Sequence, residues 1–147
     1  MKYLVVCFFV LSITFVHSQD YFQQKVDYDI TVKLDDNNHT LSAFEKIIYT
    51  NNSPDELSFL WFHIWPNAYK NDSTAYAKQA GPNSKFANSD SLSRGFIDSL
   101  DFSVNGKKVE WSYHPDWVDV VKLNLIEPLN PGESITIETP FFVKLPK

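Results

Sequence analysis

The chain is predicted to be all-β, an antiparallel β-sandwich or pair of saddle-shaped sheets of about seven strands. Three observations predict it. Apolar and polar residues alternate with period two in most segments between Lys25 and Leu145, which puts alternate side chains on opposite faces of a strand. Turn-forming clusters such as "DDNNH", "NNSPDE", "NG" and "NPGE" separate those segments, each built from residues that bond their own backbone or tolerate positive φ. No long stretch carries a helical period, and there is no internal repeat.

The first eighteen residues stand apart. Lys2 precedes an almost unbroken apolar run from Leu4 to Val16, followed by His17 and Ser18. This reads as a secretory signal peptide cleaved after Ser18, too short to read first as a spanning helix. Two segments result: 1–18 as leader and 19–147 as one β domain, with a secreted or periplasmic destination and no membrane span after cleavage. Cys7 is the only cysteine and lies in the leader, so the mature part has neither disulfide nor thiolate metal site. A net charge of −5 with Arg94 as the single arginine argues against nucleic acid, whose binding needs clustered cations. Stability has to come from a core, and an aromatic share of 16% supplies large side chains for it.

The elements follow in order. Val26, Tyr28, Ile30, Val32 and Leu34 alternate with Lys25, Asp27, Asp29, Thr31 and Lys33, predicting a strand with one wet face. After the turn at Asp35–His39, the second strand runs from Thr40 to Thr50, with Leu41, Ala43, Ile47 and Tyr49 on one face and Glu45 as the exception there. Leu57 to Trp65 is apolar on both faces: Leu57, Phe59, Trp61 and Trp65 on one, Leu60, Phe62 and Ile64 on the other. Such a strand fits a position covered on both sides, central in a sandwich or overlaid by another domain. Residues 66–94 lose the alternation, with a helical hint only at Ser73 to Gln79; loops this long tend to be functional or disordered. Alternation resumes at Phe96, with Leu100, Phe102 and Val104 inward and Asp98 breaking the row. Asn105-Gly106 is a two-residue hairpin signal, its return strand carrying Val109, Trp111 and Tyr113. "HPDW" (His114–Trp117) turns into a strand with Val121, Leu123 and Leu125, and "NPGE" (Asn130–Glu133) has the Pro-Gly centre of a type II turn. The last strand carries Ile135, Ile137, Thr139, Phe141, Val143 and Leu145.

Candidate chemistry is sparse, and no catalytic, cofactor-binding or metal-ligating residue is assigned. His39, His63 and His114 are far apart and no His-Glu-x-x-His occurs; His63 reads as a packed polar residue beside Trp61 and Trp65. There is no Gly-x-Ser-x-Gly, and four glycines leave no phosphate-cradling loop. The close acid pairs Asp116/Asp119 and Asp98/Asp101 could in principle serve glycoside hydrolysis but read as solvent-facing carboxylates. Asn38-His39-Thr40, Asn51-Asn52-Ser53 and Asn71-Asp72-Ser73 match the glycosylation triplet at or beside turns. Trp61 and Trp65 read as core or domain interface and Trp111 and Trp117 as flanking a hairpin end; exposed, such aromatics would suit stacking on sugars.

The order of features from Tyr28 to Pro146, in particular "YTNNSPDEL", "LWFHIWPNAYKNDSTAYAKQ" and "PLNPGESITI", resembles the amino-terminal β domain of the aminopeptidase N family of zinc metallopeptidases, in its secreted bacterial branch. The resemblance implies a domain that packs on a catalytic domain of the same polypeptide and helps wall its substrate cleft, with 66–94 as an inter-domain or cleft-edge segment. It also implies zinc held by His-Glu-x-x-His and a later Glu in that other domain, and peptide substrates met only there. None of those residues lies in this sequence, so the expectation is a fragment that is inert alone and carries no zinc itself. The alternative is a secreted carbohydrate- or surface-binding β-sandwich module.

Overall fold

A computed structural model describes residues 21–147; the leader read in 1–18 lies outside them. Among the described residues, nine strands form two antiparallel sheets. The larger is built from β1 (Lys25–Asp35), β2 (Thr40–Thr50), β4 (Phe96–Asp98), β5 (Ser103–Val104), β6 (Lys107–Lys108) and β9 (Ser134–Lys144). Its order is β1-β2-β9-β5-β6, with β4 also on β9. The smaller is β3 (Leu57–His63), β8 (Val120–Leu129) and β7 (Trp111–Tyr113), with β8 central. The all-β expectation holds. Nine strands replace about seven because segments read as single strands are divided.

Registers follow the apolar pattern. β1 and β2 pair from Lys25↔Thr50 to Asp35↔Thr40, and β2 and β9 from Thr40↔Lys144 to Thr50↔Ser134. One face of the large sheet therefore collects Leu41, Ile47, Tyr49, Ile135, Ile137 and Val143. The facing side of the small sheet supplies Leu60, Val121 and Leu123. Ile47, Val121, Leu123 and Ile137 are at most 1% exposed and Phe102 is 2% exposed, so the core lies where β2, β9 and β5 meet β8 and β3. Each such side chain contributes roughly 1.5–3 kcal/mol on leaving water.

Two irregularities have local causes. The row broken by Asp98 contains a bulge: Asp98 pairs with Phe142, whereas Ser103 pairs with Glu138, a shift of one residue. Ser99 takes φ +63° within it, and the step inverts the faces. Ile97 is consequently the buried residue of β4, while Phe96 turns to the other side against Phe142 with ring centroids 6.2 Å apart. Pro140, without an N–H, falls where β4 and β5 part along β9, a position a paired central strand would not tolerate. Asn105 and Gly106, at φ +49° and +76°, give the two positive-φ centres of a type I′ turn between β5 and β6. The predicted return strand then leaves the large sheet after Lys108 and joins the small one as β7.

The 66–94 excursion is ordered chain lying against the sandwich. A 3-10 turn (Trp65–Tyr69), helix α1 (Ala75–Ala80) and a second 3-10 turn (Ser91–Ser93) punctuate it. Thr74 caps α1 by accepting the Ala77 N–H at 3.1 Å. Asn67, fully buried, donates from Nδ2 to the Val118 carbonyl at 3.0 Å and accepts the Ile97 N–H at 3.1 Å on Oδ1. That amide ties the loop to β4 and to the turn before β8. Tyr69, Tyr76 and Phe86 pack together with centroids 4.8 to 6.3 Å apart, and Arg94 lies 4.8 Å over Phe86 while pairing with Asp72 at 2.7 Å.

Candidate functional site

β3 places its two apolar faces in different surroundings. Leu60 and Ile64 are buried and Phe62 is half-buried against Phe102 at 5.9 Å. Phe59, Trp61 and Trp65 are 39, 48 and 66% exposed, and His63 is exposed between them. Of the two readings of Trp61 and Trp65, core or domain interface, the core reading is thereby corrected, as is the reading of His63 as a packed polar residue. The small sheet has only three strands, so its outer side has no second layer among the described residues, and β3 is an edge strand and not a central one.

The outer side nevertheless has internal order. Phe59 meets Trp61 edge-on at 5.9 Å, Trp61 lies 5.1 Å from His114, His63 stacks on Trp65 at 4.6 Å and His114 stacks on Trp117 at 4.3 Å. Register explains the assembly: Trp61 is opposite Lys122 and His63 opposite Val120. The "HPDW" turn then brings His114 and Trp117 back over the same face, closed by His114 N–H to the Val120 carbonyl at 2.9 Å. His114 Nδ1 accepts the Asp116 N–H at 3.1 Å, which puts the neutral ring's proton on Nε2. Lys122 Nζ sits 4.1 Å over Phe59, a cation–π contact that covers one end of the row.

Two adjoining shallow depressions of about 250 and 260 Å³ open there. Both are lined by His63, Trp117 and Val120; Ala75 and Asp119 complete the first, Trp61 and His114 the second. Trp117 is 51% exposed and Val120 only 7%, so the aromatic row shelters a single valine and offers its ring faces outward. Flat rings beside imidazole and carboxylate groups can stack an apolar or sugar face and hydrogen-bond its edge. A depression of about 350 Å³ between the ends of β8 and β9 is lined by Val104, Lys107, Ile126, Glu127 and Glu133 among others and presents no aromatic ring.

The remaining sequence candidates are local. Asp98 accepts the Ser99 N–H at 2.6 Å and Asp101 pairs with Lys108 at 2.8 Å, the solvent-facing roles expected of them. Asn38 is exposed, and its Nδ2 donates to Asp35 at 2.8 Å. Asn51 is fully buried and donates to the Asp55 and Leu129 carbonyls at 2.8 and 2.9 Å. Its expected surface exposure is corrected: the amide is a structural tie between turns and inaccessible to a glycan. Trp111 packs inward on Phe102 at 5.7 Å, while Trp117 belongs to the exposed row. Sequence reasoning missed that row as a unit because His114 and Trp117 join Trp61 and His63 only through the β7–β8 pairing; the shared sequence signal was an aromatic next to a histidine in both segments.

Comparison with known proteins adds the fold's relatives. No family model and no curated protein matches the sequence. Among solved structures the chain is similar to an M1 zinc metallopeptidase from Deinococcus radiodurans, with TM-score 0.51 and 16% identity over 83% of this chain and 21% of that one. The same values hold for a mutant of a two-domain M1 zinc metallopeptidase bound to L-arginine. The chain thus spans 21% of the length of the structures it matches. The zinc of those enzymes finds no donor set here, since no three His, Cys, Asp or Glu side chains gather among the described residues. What the likeness establishes is that this chain has the fold of a part of an M1 zinc metallopeptidase.

Proposed function

We propose that this chain is the amino-terminal, non-catalytic β domain of a secreted zinc aminopeptidase, inert by itself and packed against a catalytic domain of the same polypeptide. The observation that carries the reading is the fold likeness to M1 zinc metallopeptidases over 83% of the chain. The ordered sequence segments around "LWFHIWPNAY" and "PLNPGESITI" support it. In this reading zinc and the peptide-cleaving groups belong to the catalytic domain, and this chain's residues support the cleft without touching zinc. The exposed row of Phe59, Trp61, Trp65 and Trp117 has the character of a surface that another domain covers, since contiguous aromatic patches on solvent-facing sheets mark interaction sites.

Two measurements test the two halves. The purified chain, supplied with zinc, is expected to release nothing from aminoacyl-anilides; zinc-dependent release overturns inertness. The coding sequence beyond Lys147 is expected to continue in frame to His-Glu-x-x-His, and an immediate stop codon overturns the parent enzyme.

A second reading, a glycan-binding module, is favoured by the same outward ring faces. Titration with soluble glycans separates the two: a saturable change in tryptophan fluorescence supports the module, and no response supports the domain interface.

A further inference from the structure

We propose that the chain self-associates through β1, as a twofold dimer in which the β1 strands of two copies pair antiparallel with the symmetry axis at Ile30. The proposal is independent of the functional reading above. β1 is an end strand of the large sheet, and no strand of the described residues pairs with its outer edge. It is eleven residues long without proline or glycine, so an unbroken row of N–H and C=O groups is presented to solvent. Long edge strands of this kind template pairing with another chain unless charge, proline or a bulge prevents it.

The charges on β1 do not prevent pairing with its own copy; they select its register. With the axis at Ile30, Lys25 faces Asp35 and Asp27 faces Lys33, and symmetry repeats both pairs. Asp29 faces Thr31. On the other face Val26 meets Leu34, Tyr28 meets Val32 and Ile30 meets itself. Every charged residue but Asp29 finds an opposite charge, and no like charges meet. Neighbouring registers that keep the faces aligned fail. An axis at Asp29 sets Lys25 against Lys33 and Asp29 against Asp29, and an axis at Thr31 sets Asp27 against Asp35. A shift by one residue places apolar side chains opposite polar ones. Such an isologous contact closes on itself and stops at two copies.

The apolar face gives the association its driving force. The small sheet does not reach over β1, so Tyr28, Ile30, Val32 and Leu34 are 61, 47, 50 and 59% exposed although they continue the core-facing side of β2 and β9. In the dimer these side chains flank one another across the new strand pair, where apolar and opposite-charge cross-strand pairs are favourable. Lys25 and Asp27, which pair with each other at 3.1 Å while mostly exposed, exchange that weak contact for partners across the interface.

The test is sedimentation of the full chain over concentrations up to about 0.1 mM, with charge variants as a register probe. The unsubstituted chain is expected to dimerise. Asp27→Lys alone and Lys33→Asp alone each create two like-charge contacts and are expected to weaken the dimer about tenfold or more. An equimolar mixture of the two variants restores opposite charges at positions 27 and 33 across the interface, and it is expected to dimerise more tightly than either variant by itself. Far-UV circular dichroism of each variant establishes that it is folded. A chain that stays monomeric throughout, an association insensitive to both substitutions, or a mixture no tighter than its components overturns the proposal.

Discussion

The two faces of β3 (Leu57–His63) make the most instructive comparison in the molecule. Toward the large sheet, Leu60 is 5% exposed, lying beside Val121 and Leu123 of its own sheet and packed in one core with Ile137 of the large sheet, all three fully buried. On the opposite side, Phe59, Trp61 and the adjoining Trp65 are 39 to 66% exposed although they are larger and at least as apolar. Residue type is therefore a poor guide to what covers a face. The inner side is covered because β9 and β2 lie across it; the outer side has only the "HPDW" turn and the start of α1 nearby. Burial energy goes with the covering layer and not with the hydrophobicity of the side chain alone.

The largest expected effect breaks the inner side. Leu123→Ala removes a fully buried side chain from the strand at the centre of the small sheet, with an expected loss of about 2–5 kcal/mol in urea denaturation. A loss under about 1 kcal/mol would mean that the two sheets are not packed as described. Asn67→Ala comes next. It leaves the Ile97 N–H and the Val118 carbonyl without their buried partner, at a cost of about 1–3 kcal/mol. Protease cleavage within residues 66–94 should rise with it, because that amide fastens the excursion to β4.

Trp61→Ala probes the outer side and should cost the isolated chain less than about 1 kcal/mol, as expected for a half-exposed side chain with few buried contacts. The same substitution should lower aggregation of the chain, measured by light scattering, if the row is a surface awaiting a partner. A cost as large as that of Leu123→Ala would erase the contrast between the faces.

The smallest effect concerns Glu45, half-buried on the apolar face of β2 between Ile30 and Thr139. Burial raises its pKa above the ordinary carboxylate range, so the native state holds that proton more tightly than the unfolded chain does. Its cost is therefore absent at low pH and grows as pH rises through the raised pKa. Glu45→Gln should increase the urea midpoint at pH 7 by less than about 1 kcal/mol equivalent, reduced by solvent screening. Near pH 4 the increase should vanish. Asp35, held below its ordinary range by hydrogen bonds from Asn38, acts in the opposite sense: its contribution is present above the ordinary carboxylate range and fades as pH falls through the lowered pKa. A common Asp35→Asn background in both proteins removes that trend from the comparison.

Local chemistry was legible where it depends on neighbours in the chain. The alternation of β1, β2 and β9, the type I′ turn at Asn105-Gly106 and the turn at Pro131-Gly132, with Gly132 at φ +82°, are all consequences of residue order. The odd polar residue Asp98 was visible as well, yet its cause was hidden. The one-residue bulge that flips Ile97 inward exists only in the pairing with β9. Asn51, Asn67 and Thr139 are as buried as the best core residues, and nothing in their polarity announced it. Their hydrogen-bond partners lie 30 or more residues away for Asn67, 78 for one of those of Asn51 and 38 for Thr139.

By itself, then, the amino-acid sequence determined that this chain pairs antiparallel strands, where most of them turn and which side of each is apolar, because period-two patterning and turn chemistry act over a few residues. Which apolar sides become core was decided only by the tertiary structure. The large sheet is wider than the small one, and that mismatch leaves β1's apolar face and the aromatic row of β3 open to solvent while Ile47, Leu123 and Ile137 disappear from it. Coverage depends on which strands lie across one another, a property of long-range pairing that no local pattern encodes.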